Sequence, residues 1–215
     1  MRAAAYHPRM TMTLADAGVL LAAYLLGSLS GSLLLGRLRG VDIRRHGSGN
    51  AGGTNALRTL GWRFALGVVV IDVGKGALAA WLGLRFAQGF AYPAAALAVV
   101  GHVWPLWHGF RGGKGAATVV GALLVLWPQA LLPLLAVWAL VLVASGYVGL
   151  STVLAMASLP VFAWWQQAGP ARTGFALAMA LFLLFTHRGN LQRLRRGTES
   201  RFERARLLRR RRAGA

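Results

Sequence analysis

The 215-residue chain has no cysteine, which excludes disulfide scaffolds, thiolate metal sites and thiol nucleophiles. Carboxylates are almost as scarce, with five Asp and Glu against 24 Lys and Arg. Paired acid and base catalysis and carboxylate metal sites therefore have few places to reside. Charge of either sign is thin. Only 13% of residues are charged and 56% are hydrophobic, where soluble domains carry about a quarter charged. Such a composition suits a bilayer.

The formal charge of +19 would suggest nucleic acid if it covered a soluble surface. Its placement argues otherwise. Six basic residues lie from Arg37 to Arg63, two are Arg111 and Lys114, and eleven follow His187. Arg2, Arg9, Arg85 and Arg172 fall opposite if the apolar spans alternate, and Lys75 lies inside one. This positive-inside asymmetry predicts that the basic loops and the C-terminus face the cytoplasm. The Arg209 to Arg212 run reads as attraction to anionic lipid rather than to RNA.

Leu14 to Gly36 is a 23-residue run whose one charge is Asp16, long enough for a first span and too long for a signal-peptide core. Its Gly27, Ser28, Ser30, Gly31, Ser32 and Gly36 suit close helix contact, or Ser28 lines a site. Phe64 to Leu84 predicts a second span, with Asp72 and Lys75 one turn apart and able to neutralise each other. Phe86 to Trp107 predicts a third, interrupted at Pro93. Between Lys114 and Arg172 there are 57 residues without charge, about 86 Å as a helix and near three crossings of a core of roughly 30 Å. Pro128 and Ser145 to Gly149 are the expected breaks. Thr173 to Thr186 is the last span, short unless it takes in flanking residues. The expected fold is an all-α polytopic membrane protein of seven transmembrane helices, N-terminus outside and C-terminus cytoplasmic.

Three polar stretches converge on the cytoplasmic side of that topology. The first runs from Asp42 to Arg58, DIRRHGSGNAGGTNALR. Gly47 and Gly49 let a backbone approach a ligand, Ser48 and Thr54 offer hydroxyls, Asn50 and Asn55 offer amides, and Arg58 offers charge. The second, GFRGGKGAAT, brings Gly112, Gly113 and Lys114 to the start of an apolar run. It is not a Walker A loop, since Gly115 stands where Ser or Thr is needed. The third, HRGN, carries His187 and Asn190. Two cationic cradles without carboxylates suit two phosphate groups. No HExxH pair is present, no metal or cofactor is expected, and no histidine begins the H-x4-D pattern of soluble-type glycerolipid acyltransferases.

GSGNAGGTNALRTLG, IDVGKG, GHVWPLWHGFRGGKGAAT and THRGNLQRL, in that order, resemble the bacterial acyl-phosphate:glycerol-3-phosphate acyltransferase family, usually called PlsY, from Gly27 to about Glu199. The resemblance implies an enzyme of the inner membrane, its site facing the cytoplasm. It would move an acyl group from acyl phosphate to the 1-hydroxyl of glycerol 3-phosphate, giving lysophosphatidic acid and phosphate without CoA or acyl carrier protein. It further implies that Ser48, Arg58, Lys114, His187 and Asn190 are functional. Residues 1–13 would then be an N-terminal extension, 14–187 the membrane acyltransferase domain and 188–215 a basic tail. The chain departs from the family pattern with GSLS for GSIP, Gly53 for Ala and Gly189 for Glu, and translation could begin at Met10 or Met12. The competing expectation is a transporter or channel for phosphorylated metabolites, which would place polar residues through the bilayer depth, where only Asp72 and Lys75 are charged.

Overall fold

The computed structural model describes residues 11–202, and among them every regular element is helical: α1 Leu14–Gly27, α2 Gly31–Leu38, α3 Gly53–Phe86, α4 Ala91–Val103, α5 Ala116–Leu126, α6 Leu131–Ser145, α7 Val148–Trp165, α8 Pro170–Thr186 and α9 Arg188–Arg195. Pro128–Ser145, α7 and α3 are each long and apolar enough to cross a membrane, and α1 with α2 and α8 with α9 qualify as bent pairs. The Pro128–Ser145 stretch carries no charge, yet only 17% of it is buried. Leu132, Leu140 and Trp164 stand outward at 70% exposure or more, so the exterior is suited to hydrocarbon.

Asp16 has a local reason to sit in an apolar run. Its carboxylate accepts from Thr13 N at 2.8 Å while the Thr13 hydroxyl accepts from Asp16 N at 3.2 Å, a reciprocal cap at the positive end of α1. The expected single helix from Leu14 to Gly36 is corrected to two, bent by 50° between Gly27 and Gly31. Asp72 and Lys75 bond to this break: Asp72 Oδ1 accepts from Gly31 N, and Lys75 Nζ donates to the Gly27 and Leu29 carbonyls.

Helix α3 starts eleven residues earlier than the expected second span. Gly61, at φ 83°, interrupts it, leaving a short helix over 53–60 and a long arm over 62–86. Thr54, Asn55 and Arg58 are therefore helical rather than loop residues. Pro93 does not interrupt α4; it sits in the first turn, where a missing N–H costs no helical bond. The breaks near Pro128 and at Gly146 stand where the sequence placed them, Gly146 ending α6 in a left-handed conformation at φ 77°.

Helices α3 and α5 approach so closely that a Cβ on Gly121 would lie 1.9 Å from Val73 O, and one on Gly76 2.1 Å from Thr118 O. A larger apolar core, including Val99, Val119, Leu123, Leu159, Phe175 and Met179, joins α4, α5, α7 and α8. The connections gather at two ends. At one, Arg172 Nε donates to Tyr92 OH and Trp127 Nε1 to Gln166 Oε1. At the other, Arg44 Nη1 donates to His108 O, Thr186 Oγ1 to Lys114 O and Phe202 N to Gly146 O. The tail thus packs on the bundle as far as Phe202; the arginines at 209–212 lie outside the described residues.

Candidate active site

The first loop is built by Asn55, which is 2% exposed. Its Oδ1 accepts from Ser48 N at 2.9 Å, and its Nδ2 faces the carbonyls of Ile43, His46 and Asn50 at 2.9 to 3.2 Å. With its amide so engaged, Asn55 shapes the loop and does not offer its side chain to an anion. Arg44, hydrogen-bonded to Asp42, holds that carboxyl down at about 2. The same arginine donates to His108 O at 2.9 Å and Arg111 O at 3.3 Å, which clamps the two glycine-rich loops together.

Backbone amides sort the remaining expectations. Gly112 N donates to Val103 O, Gly113 N to His102 O and Gly49 N to His46 O, each at 3.1 Å. None of these three glycines borders the cavity described next, so their expected place as phosphate donors is corrected: their N–H groups are already paired inside the protein. Free amides come instead from helix starts. The first helical bond of α3 runs from Ala56 N to Gly52 O and that of α5 from Val119 N to Gly115 O. The N–H groups of Gly53, Thr54, Ala116 and Ala117 have no helical partner, and these residues line one cavity.

That cavity has a volume of about 870 Å³. It brings together Gly47, Ser48, Asn50, Thr54, Asn55, Arg58, Lys114, His187 and Asn190, all of the expected site residues except the three corrected glycines. Two helix N-termini, with their partial positive charge, a guanidinium and an ammonium therefore face one space. Apolar side chains form the rest of the wall, among them Trp62, Leu66, Val69 and Trp138. Trp62 and Leu66 are more than half exposed on the outer surface as well.

Lys114 Nζ donates to Asn190 Oδ1. Asn190 Nδ2 donates to Glu199 Oε1 at 2.6 Å, and Glu199 Oε2 pairs with Arg193 Nε at 2.7 Å. Burial, reinforced by the nearby Arg193 and Arg58, lowers Lys114 to about 8, with Glu199 opposing. Burial and then the Lys114 charge lower His187 to about 4. His187 Nδ1 lies 2.8 Å from Leu183 O; a carbonyl only accepts, so Nδ1 carries the proton and Nε2 a lone pair. Arg58 Nη2 donates to Ser200 O at 3.2 Å.

Sequence reasoning missed Arg193, Glu199 and Ser200, all in the cavity wall. The available signal was Glu199 itself, an acid in a tail otherwise dominated by arginine.

The arrangement can bind phosphorylated molecules and shelter an apolar chain beside them. Residues 17–197 match the family model described as glycerol-3-phosphate acyltransferase. Similar proteins called glycerol-3-phosphate acyltransferase occur in Symbiobacterium thermophilum, 42% identical over 83% of this chain and 90% of that one, and in Geobacillus kaustophilus, 44% identical over 84% and 93%. The fold is similar to crystal structures of PlsY, an integral membrane glycerol 3-phosphate acyltransferase, in its glycerol 3-phosphate form (TM-score 0.82, 32% identity) and its lysophosphatidic acid form (0.80, 31%). Each comparison covers 86% of this chain and 94% of the other.

Proposed function

The chain belongs to the glycerol-3-phosphate acyltransferase family, and from that premise we propose that it transfers a fatty acyl group from acyl phosphate to the 1-hydroxyl of glycerol 3-phosphate. The products are lysophosphatidic acid and inorganic phosphate. One observation carries this reading: Ser48, Arg58, Lys114, His187 and Asn190 border a single cavity together with two helix N-termini. Two anions are thereby met by two helix dipoles and by the Lys114 and Arg58 cations, and the apolar wall of Trp62, Leu66, Val69 and Trp138 takes the acyl chain.

Acyl phosphate is a mixed anhydride with a good leaving group, so no covalent enzyme intermediate is needed. The glycerol oxygen attacks the carbonyl carbon, the bond from that carbon to the phosphate oxygen breaks, and phosphate leaves with the electron pair. Positioning and charge stabilisation supply the catalysis. Lys114 and Arg58 bind phosphate oxygens, assisted by the free amides of Gly53, Thr54, Ala116 and Ala117. Gly47, Asn50 and Thr54 complete the polar wall, and the Ser48 hydroxyl donates to phosphate or carbonyl oxygen.

The His187 lone pair at Nε2 accepts the hydrogen bond of the attacking hydroxyl and orients it. With its pKa at about 4, His187 is too weak a base to keep the proton at neutral pH. A phosphate dianion, with a second pKa of about 6, is the better terminal acceptor, so the glycerol 3-phosphate phosphate receives the proton.

Seven crossings accompany this reading: α1 with α2, then α3, α4, α5, α6, α7 and α8. The cavity end then faces the cytoplasm of the inner membrane and the N-terminus lies outside, in keeping with the arginines around the cavity. Residues 14–187 would be the membrane domain, with the segment after it adding Asn190, Arg193 and Glu199 to the wall. The test is phosphate release by purified protein in detergent from palmitoyl phosphate with and without glycerol 3-phosphate. Release should require both substrates and vanish in Lys114→Ala and Arg58→Ala; near-normal turnover in either variant refutes the reading, and no release by the unmodified protein favours a transporter.

A further inference from the structure

The mechanism above leaves one ionisable cluster unused. Asp72 and Lys75 of α3 meet His102 of α4 in a knot where all three residues are at most 4% exposed. Lys75 Nζ lies 2.7 Å from Gly27 O, 2.8 Å from Leu29 O and 2.8 Å from His102 Nδ1. His102 Nδ1 also lies 3.4 Å from Asp72 Oδ1, so the ring is held between the ammonium and the carboxylate. Asp72 Oδ1, 3.2 Å from Lys75 Nζ, balances the charge and accepts from Gly31 N.

The far side of the His102 ring meets the second loop. A Cβ on Gly113 would lie 2.1 Å from His102 Nε2 and 2.8 Å from Ala51 O, and one on Gly112 would lie 2.0 Å from His102 O. Gly113 N also donates to His102 O. The Gly112–Gly113 turn is thus pressed onto His102, and Lys114 is the next residue. A buried ion pair is costly in a membrane helix and weak as a source of stability. Its location points to function: Asp72 and His102 reach the cavity wall that Lys114 also borders.

We propose that Asp72, Lys75 and His102 form a positioning unit that locks the broken α1–α2 helix and fixes the His102 ring as the stop on which the Gly112–Gly113 turn seats, setting where Lys114 stands in the cavity. The proposal rests on Lys114 being a substrate-phosphate ligand. The role assigned to the three is positioning: they act through the turn.

The chain's only lysines are Lys75 and Lys114, and Lys75 is 4% exposed. Acetylation of full-length protein in detergent by a small anhydride, read by mass spectrometry at Lys114 across pH, therefore reports that amine without any need for turnover. The groups facing Lys114 are Arg58 of α3, His187, Asn190 and Arg193 at α9, and Glu199 beyond it; all remain in His102→Ala. In that variant the labelling midpoint should rise from about 8 by roughly one pH unit as the ammonium gains water. KM for the substrate whose phosphate Lys114 holds should rise about tenfold, with a smaller fall in kcat. An unchanged midpoint with both KM values at wild-type level overturns the proposal. Should His102→Ala not fold, the pair Asp72→Asn with Lys75→Met, neutral and close in shape, is read by the same two measurements. A wild-type protein that releases no phosphate sinks the acyl-transfer reading, while the labelling shift still decides this one.

Discussion

Lys114 and Asn190 stand 76 positions apart in sequence, and the ammonium of one donates to the amide oxygen of the other. The amide has a fixed sense because its nitrogen is taken by Glu199 at 2.6 Å, which turns Oδ1 toward the lysine. Asn190→Ala removes the aim of Lys114 without touching its charge. The expected loss is about a hundredfold in kcat/KM, as for misplacement of a positioned group by about 1 Å. Phosphate release kinetics check it, and a loss below threefold would mean that the lysine does not depend on this partner.

The pH profile separates two candidate bases. Lys114 titrates at about 8, so its charge is present below that pH and lost above it; kcat/KM should fall on the alkaline side near 8. On the acid side the proton acceptor must be free. If the substrate phosphate accepts, the limb lies at about 6, the second phosphate pKa. If His187 accepts, it lies at about 4. We expect the limb at about 6 with glycerol 3-phosphate, and a limb near 4 would transfer the base assignment to His187.

Lys114 should cost stability in return for the phosphate binding proposed for it. Its folded-state pKa of about 8 lies below the ordinary lysine value of 10.5, so the unfolded chain binds the proton more tightly. Stability then rises with pH between about 8 and 10.5, and the full penalty applies below 8. Lys114→Met should be inactive yet more stable at pH 7, by about 1 kcal/mol after discounting for relaxation and lost hydrogen bonding. Thermal unfolding in detergent at pH 7 and pH 10.5 reads this directly: the gain should shrink at the higher pH, and a lower melting temperature for the variant at pH 7 contradicts it.

Much of this site was legible because its chemistry is local in sequence. Ser48, Arg58, Lys114, His187 and Asn190 sit in short polar stretches between apolar runs, and the topology of those runs already brought them to one end. The α6 and α7 boundaries were legible for a similar reason: a proline and a glycine-rich turn stop a helix in any surroundings. What escaped were features set by distant partners. The bend between Gly27 and Gly31 depends on Asp72 and Lys75, more than forty residues away, and small residues at helical spacing look the same in a straight helix. Gly112 and Gly113 of RGGKG suggested open amides, yet their N–H groups are paired with residues 103 and 102. Helix α3 begins at Gly53 because a helix start needs no apolar residue when Asn55 organises the loop before it.

Glu199 was hidden by its surroundings, since two acids among eleven arginines read as part of a solvated tail. Its two oxygens do separate things: Oε1 orients Asn190 and Oε2 pairs with Arg193. Its charge also holds the Lys114 pKa up against burial and the neighbouring arginines. Glu199→Gln keeps an acceptor for Asn190 but removes that charge. The Lys114 pKa should then drop further below about 8, moving the alkaline limb of kcat/KM toward neutral pH by about half a unit to one unit. Glu199→Ala removes the acceptor as well and should lower kcat/KM about tenfold or more at every pH. The comparison of the two profiles tests the division of labour. A Gln variant with an unmoved limb would show that Glu199 acts through geometry alone, and an Ala variant no worse than Gln would show that its charge is all that matters.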